Sequence, residues 1–130
     1  MIGIFDSGVG GLSVLREVRR LLPAADLAYL ADQARAPYGE RSLEEVRTFT
    51  EGITDYLISL RSVPVVIACN TASAAALRHL RARRPDRPFV GMEPAVKPAA
   101  TLTSTGIVGV LATQATFQGE PFADLVARYG

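Results

Sequence analysis

One cysteine stands in this 130-residue chain, and its neighbours set it up for chemistry. Cys69 closes the apolar run Val63-Pro64-Val65-Val66-Ile67-Ala68 and is followed by Asn70-Thr71 and the Ala-rich stretch Ala72-Ser73-Ala74-Ala75-Ala76. That order predicts a strand, then the thiol, then a helix. A thiol at the carboxyl end of a strand, facing a helix N-terminus, sits where thiolates form and ligands bind. The bland alternative is a small buried hydrophobe, which is what most free cysteines are. Position alone leaves the two readings level.

Polar residues follow the other apolar runs too. Asp6-Ser7-Gly8-Val9-Gly10-Gly11 follows the first, Asp32 and then Pro37-Tyr38-Gly39 the second, Glu93-Pro94 the fourth, and Thr113 and Thr116 the fifth. In an open parallel sheet, ligands bind beyond the carboxyl ends of the strands, so these residues are able to line one cleft. The glycine loop leaves backbone N–H groups open to a phosphate or a carboxylate at the next helix N-terminus. A dinucleotide fingerprint would need Gly or Ala at position 13, where Ser13 stands, although Asp32 occupies the place of its acidic residue. A nicotinamide-binding oxidoreductase domain therefore stays open on spacing, beside a plain strand-to-helix turn. The phosphatase loop C-x5-R fails at Ala75, and a redox C-x-x-C fails at Ala72.

The elements that must position these groups are legible as short apolar runs: Ile2–Phe5, Leu27–Ala31, Val63–Ala68, Phe89–Met92 and Ile107–Ala112. Such non-alternating runs suit parallel strands covered on both faces. Helical stripes lie between them, Leu12, Leu15, Val18 and Leu22 in one, and Leu43, Val46, Phe49, Ile53, Leu57 and Leu60 in another. Ser42 and Glu45 have capping-box spacing at the start of the second. A third helix is expected from Thr71 to about Arg83, stopped by Pro85, and an amphipathic segment with Phe122, Leu125 and Val126 closes the chain. Alternating strand and helix predict an α/β fold with a doubly wound, mainly parallel sheet and helices on both faces. Pro94 and Pro98 mark a soft boundary near 94–105.

With 14 basic and 13 acidic residues the net charge is +1, which gives no support to a nucleic-acid or membrane-surface role. The local run Arg78, Arg81, Arg83, Arg84 and Arg87 reads first as a solvated helix C-terminus. A single cysteine makes no internal disulfide and no thiolate cluster, and the lone His79 has no metal-ligand spacing. No metal is expected. No apolar run approaches the span of a bilayer and no signal peptide is visible, so a cytoplasmic location is expected.

In order along the chain, Asp6-Ser7-Gly8-Val9-Gly10-Gly11-Leu12, Tyr29-Leu30-Ala31-Asp32, Ala36-Pro37-Tyr38-Gly39, Ala68-Cys69-Asn70-Thr71-Ala72-Ser73, Gly91-Met92-Glu93-Pro94-Ala95 and Val110-Leu111-Ala112-Thr113 match a known pattern. The chain closely resembles the N-terminal half of the glutamate racemases, in the aspartate/glutamate racemase superfamily. The resemblance implies interconversion of L- and D-glutamate for peptidoglycan precursors, without a cofactor, by proton transfer between two cysteines. Carried over by position, Cys69 would be one catalytic cysteine. Asp6, Ser7, Tyr38, Gly39, Asn70, Thr71, Thr113 and Thr116 would bind substrate, and Asp32 and Glu93 would assist proton handling.

The departures are equally specific. The family's second cysteine lies in a Cys-Thr-His motif that this sequence lacks, and Gly119 stands where the family often has a hydroxyl or charged residue. The resemblance thus implies a partial sequence, inactive alone. Residues 1–95 would form the N-terminal α/β domain and 96–130 the truncated start of a second. Glutamate is the expected partner, with no membrane and no direct nucleic acid. The open sheet edge and unpaired cleft of such a half would favour dimerisation, as a homodimer, or aggregation. A non-catalytic binding module is the remaining alternative.

Overall fold

A parallel strand is stable only when it is paired along its edge and covered on its faces. Four of the five apolar runs meet that condition: β1 (Ile2–Asp6), β2 (Leu27–Ala31), β3 (Val65–Ile67) and β4 (Phe89–Val90). The computed structural model describes all residues, 1–130, and pairs these strands in the order β2-β1-β3-β4, all parallel. The register sets Ile4 beside both Tyr29 and Val66. The helices are α1 (Leu12–Leu21), α2 (Leu43–Ser59), α3 (Asn70–Arg83), α4 (Val96–Leu102), α5 (Gln114–Gln118) and α6 (Glu120–Tyr129), with a 3₁₀ turn at Tyr38–Glu40.

From β1 the chain moves one way across the sheet to β2, then back past β1 to β3 and on to β4. Right-handed crossovers therefore put α1 on one face and α2 and α3, which pack on each other, on the opposite one. The sheet is doubly wound, as expected. Phe5, Val65, Ile67 and Phe89 point toward α2 and α3 and join Val46, Ile53, Leu57, Ala72, Ala76 and Leu80 in the main core. At the start of α2, Ser42 Oγ accepts from the Glu45 N–H and the Glu45 carboxylate accepts from the Ser42 N–H, closing the expected capping box.

Three expectations are corrected. The fifth strand, Ile107–Ala112, does not form. The segment pairs with no strand of the sheet, and Ile107 and Leu111 stay exposed. The third and fourth strands are shorter than their apolar runs because pairing, not hydropathy, ends a strand. The stripe of α1 exists, but no residue of α1 is buried, and Leu12, Leu21 and Leu22 face outward. No other element packs closely enough on α1 to bury its stripe.

The arginine run behaves as a solvated helix end. Arg78 pairs with Glu120 and Asp124, Arg84 with Asp55, and His79 and Arg83 share Glu51, while Arg81 donates to the Phe89 carbonyl. Gly119 has a packing reason: a Cβ there would stand 2.7 Å from Ala74 Cβ, where α3 meets α5. No helix is long and apolar enough to cross a membrane.

Two measurements follow from this packing. Backbone amides of α1 should exchange faster than those of α3, whose inner face is buried; equal protection would contradict the bare α1 face. Arg61, just past α2, holds φ 62°, a left-handed conformation that favours glycine. Arg61→Gly should raise stability by about 0.5–1 kcal/mol, read as an upward shift of the thermal midpoint.

Candidate functional site

The reversal of strand order lies between β1 and β3, so the first residues beyond these two strands sit at the crevice of the sheet. They are Ser7 and, after Ala68, Cys69. Their neighbours are tied together across the strand ends: Asp32 N–H donates to the Asp6 carbonyl at 2.9 Å, and Ala68 N–H to the Phe5 carbonyl at 2.8 Å. Cys69 is the N-cap of α3, with extended backbone, and its Sγ accepts from the Ala72 N–H at 3.4 Å. The thiol in turn donates to Ser7 Oγ at 3.7 Å. Cys69 is only 6% exposed and packs with the core, as the bland reading expects, and it is also among the residues that line the cleft.

The cleft has a volume of about 740 Å³. Asp6, Cys69, Asn70, Thr71, Glu93, Thr113 and Thr116 line it, together with the backbone around Gly10, Met92 and Pro94. Asp6 is oriented by the start of α1, where the Gly11 N–H donates to Oδ2 at 3.0 Å. A side chain at position 11 would meet Asp6 Cβ at 2.7 Å, so the glycine is what permits this approach. Thr71, Thr113 and Thr116 form a hydroxyl chain, with Thr71 Oγ1 2.9 Å from Thr113 Oγ1 and Thr113 Oγ1 3.0 Å from Thr116 Oγ1. Thr113 also caps α5 and sits over Gly39, where a Cβ would fall 2.6 Å from its methyl group.

Two sequence candidates turn elsewhere. The Tyr38 ring is buried against Phe49, and its hydroxyl donates to Asp32 Oδ2 at 2.5 Å. Asp32 is buried as well and takes a second contact from Arg35 at 3.3 Å. Neither lines the cleft; the pair fixes the 36–40 turn from behind. An Asp32 so engaged is poorly placed for a ribose, which removes the main support for nicotinamide binding. Glu93 is exposed and stands at the cleft rim. No group of three or more His, Cys, Asp or Glu side chains is gathered in a way that would hold a metal ion.

Two residues that sequence reading passed over help shape the site. Tyr29 donates to the Gly8 carbonyl at 3.0 Å and so pins the glycine loop to β2. Ser73 joins the ends of β3 and β4 to α3. Their partners are backbone atoms, which carry no sequence signal.

Tyr29 keeps its proton above the usual tyrosine range, first through burial and then through the charges of Asp6 and Cys69. Tyr38 is pushed further in the same direction, by burial and then by its hydrogen bond to Asp32.

A profile of the family Asp/Glu/Hydantoin racemase matches residues 2–130. The glutamate racemase of Roseiflexus sp. (strain RS-1) is 59% identical over 128 residues, covering 98% of this chain and 47% of its own length. Among solved structures, glutamate racemase from Aquifex pyrophilus superposes with a TM-score of 0.88 at 38% identity, over 99% of this chain and 51% of that one. The Escherichia coli glutamate racemase in complex with L-glutamate and activator UDP-MurNAc-ala gives a TM-score of 0.84 at 43% identity, over 98% and 49%. The chain thus spans about half the length of the curated relatives it matches.

The two tyrosines give the site a pH signature. Because their protons are held more tightly in the folded chain than in the unfolded one, their contribution to stability is whole below about pH 10 and is lost as pH rises beyond it. A phenolate absorbance titration should show both ionising late, and Tyr38→Phe should remove the later step. Ionisation of Tyr38 alongside free tyrosine would contradict its pairing with Asp32.

Proposed function

This chain belongs to the Asp/Glu/hydantoin racemase family, and we propose that it supplies the Cys69 half of a glutamate racemase active site. The observation that carries this reading is the position of Cys69 Sγ. It lies at the reversal point of the sheet, at the head of α3, among the residues that line a cleft of mixed polar and apolar walls.

The α-proton of an amino acid is a very weak acid. Removing it needs a placed base and groups that stabilise the charge left behind. A thiol with an ordinary pKa of about 8.5 is a stronger base, once ionised, than a carboxylate. In the proposed reaction the Cys69 thiolate takes the α-proton from one face of glutamate, and the C–H electron pair becomes the carbanion. A second acid, outside this chain, protonates the opposite face and inverts the centre. The Ala72 N–H and the Ser7 hydroxyl, both within reach of Sγ, support the sulfur in this exchange.

Ser7, Asn70, Thr71, Thr113 and Thr116 would hold the two carboxylates and the ammonium group with hydroxyl and amide partners, beside the N–H dipoles of α1 and α3. Asp6 would face the ammonium group or assist the thiol. Gly39 would act by seating Thr113, and Tyr38 and Asp32 by fixing the turn that carries Gly39. Glu93 would assist proton handling from the rim. Residues 96–130 would open a second α/β unit, a reading supported by Ile107–Ala112, a strand-like sequence with no partner in the present sheet. The same reading makes the whole enzyme cofactor-independent and cytoplasmic, serving D-glutamate to peptidoglycan precursor synthesis.

The test is α-proton exchange. In deuterium oxide, the chain should deuterate L-glutamate slowly with retention, and Cys69→Ser should cut that exchange by at least about 10²-fold. Rapid conversion of L- to D-glutamate by this chain, lost in Cys69→Ser, would overturn the requirement for a second acid. Exchange that survives Cys69→Ser would remove the role given to the thiol.

A further inference from the structure

Ser73 is 2% exposed and lies one turn into α3, yet its hydroxyl is bonded to two other elements, the end of β3 and the segment after β4. Its Oγ donates to the Ile67 carbonyl at 3.1 Å, at the end of β3. The same oxygen accepts from the Met92 N–H at 2.9 Å, just past β4. Its own N–H donates to the Cys69 carbonyl at 2.9 Å. One hydroxyl thus joins the strand that delivers Cys69 to the segment Met92–Ala95, which also lines the cleft.

The close fit is built in on both sides. A Cβ at Gly91 would fall 3.1 Å from Ser73 Oγ and 2.5 Å from Leu77 Cδ2, so the glycine lets the β4 end approach α3. The Met92 N–H has no neighbouring strand to pair with, because β4 ends at Val90 and lies at the sheet edge. Ser73 is its partner. Even at this part-buried position an N–H left without a partner is costly, so the segment would swing toward water if the hydroxyl were removed.

We propose that Ser73 is a positioning residue that holds Cys69 and the Met92–Ala95 wall at a fixed separation. It touches no substrate; it sets how closely the cleft closes on the thiol and on whatever lies beside it. The consequence for glutamate rests on the racemase reading above, whereas the consequence for the thiol does not.

Because Cys69 is the only cysteine, alkylation by iodoacetamide reports on it alone. Ser73→Ala should raise the alkylation rate about tenfold, as the wall detaches from a largely buried thiol. It should also speed amide exchange at Met92 and raise the glutamate concentration that half-protects Cys69 by about tenfold, the scale of one lost buried hydrogen bond. Ser73→Thr keeps the hydroxyl and should return all three readouts to within about twofold of the native chain. Leu57→Ala, a core truncation beneath α2, should lower the thermal midpoint and leave the alkylation rate of the folded protein unchanged.

Should Ser73→Ala fail to fold, Gly91→Ala pushes the same two segments apart and should speed alkylation in the same way. A native alkylation rate in a folded Ser73→Ala or Gly91→Ala chain would overturn the proposal. So would a folded Ser73→Thr that behaves like the alanine variant, or a Leu57→Ala that alkylates as fast. If glutamate fails to protect Cys69 even in the native chain, the racemase reading falls, and the alkylation and exchange readouts still decide the role of Ser73.

Discussion

The geometry of the site depends on one topological constraint, the reversal of strand order at β1. Crossovers in a parallel sheet are right-handed, so a chain that first steps to one side and then to the other must change faces. α1 leaves on one face and α3 on the other, and the space between their N-termini is a crevice that no crossover fills. Ser7 and Cys69 reach it because β1 and β3 are direct neighbours, paired from Gly3 to Phe5 with Val65 to Ile67. Cys69 then does two jobs at once, closing a strand and capping a helix with sulfur where an oxygen is usual.

The loops that border this crevice are each held from beneath by a side chain outside the cleft lining. Tyr29 holds the glycine loop by the Gly8 carbonyl, Tyr38 and Asp32 hold the 36–40 turn, and Ser73 holds the segment after β4. Loops run over surfaces because their backbone groups need partners. Here the partners come from the sheet and from α3, so the loops are fixed without filling the space above Cys69. A cleft that carries the Thr71, Thr113 and Thr116 hydroxyls among apolar walls survives beside the core for this reason.

How much of this could be read from the chain follows from which forces decide each feature. β1 and β2 were legible almost to the residue, since both are apolar runs and both are paired along their whole length. β3 and β4 were read too long, and Ile107–Ala112 was read as a strand, because hydropathy registers burial and is blind to whether a partner edge exists. The capping box of α2 is a side-chain pattern and was legible. Most candidate site residues were found through polar types at strand ends, and the structure brings Asp6, Cys69, Asn70, Thr71, Glu93, Thr113 and Thr116 to one cleft. The same rule misdirected Tyr38 and Asp32, whose side chains satisfy each other in the interior. Ser73 and Tyr29 escaped it because their hydroxyls meet backbone atoms, which every sequence carries.

The cleft also bears on why half a site would be held by so specific a framework. Inverting a carbon centre needs proton transfer at both faces of a planar intermediate, and a single rigid sulfur reaches only one. The carboxylates in the cleft are Asp6 and Glu93, and a carboxylate is a far weaker base toward a carbon acid than a thiolate. Asp6 is moreover engaged by the Gly11 N–H, and Glu93 lies out at the rim. Neither is a natural counterpart to Cys69 across a substrate. The relatives are about twice as long as this chain and match it over nearly its whole length. Within this chain, Leu111 at the cleft is exposed and lies in the 107–112 segment, which pairs with no strand. On the proposed reading, the framework under Cys69 fixes one acid–base group and leaves the opposite face of the carbon to a group that Asp6 and Glu93 do not supply.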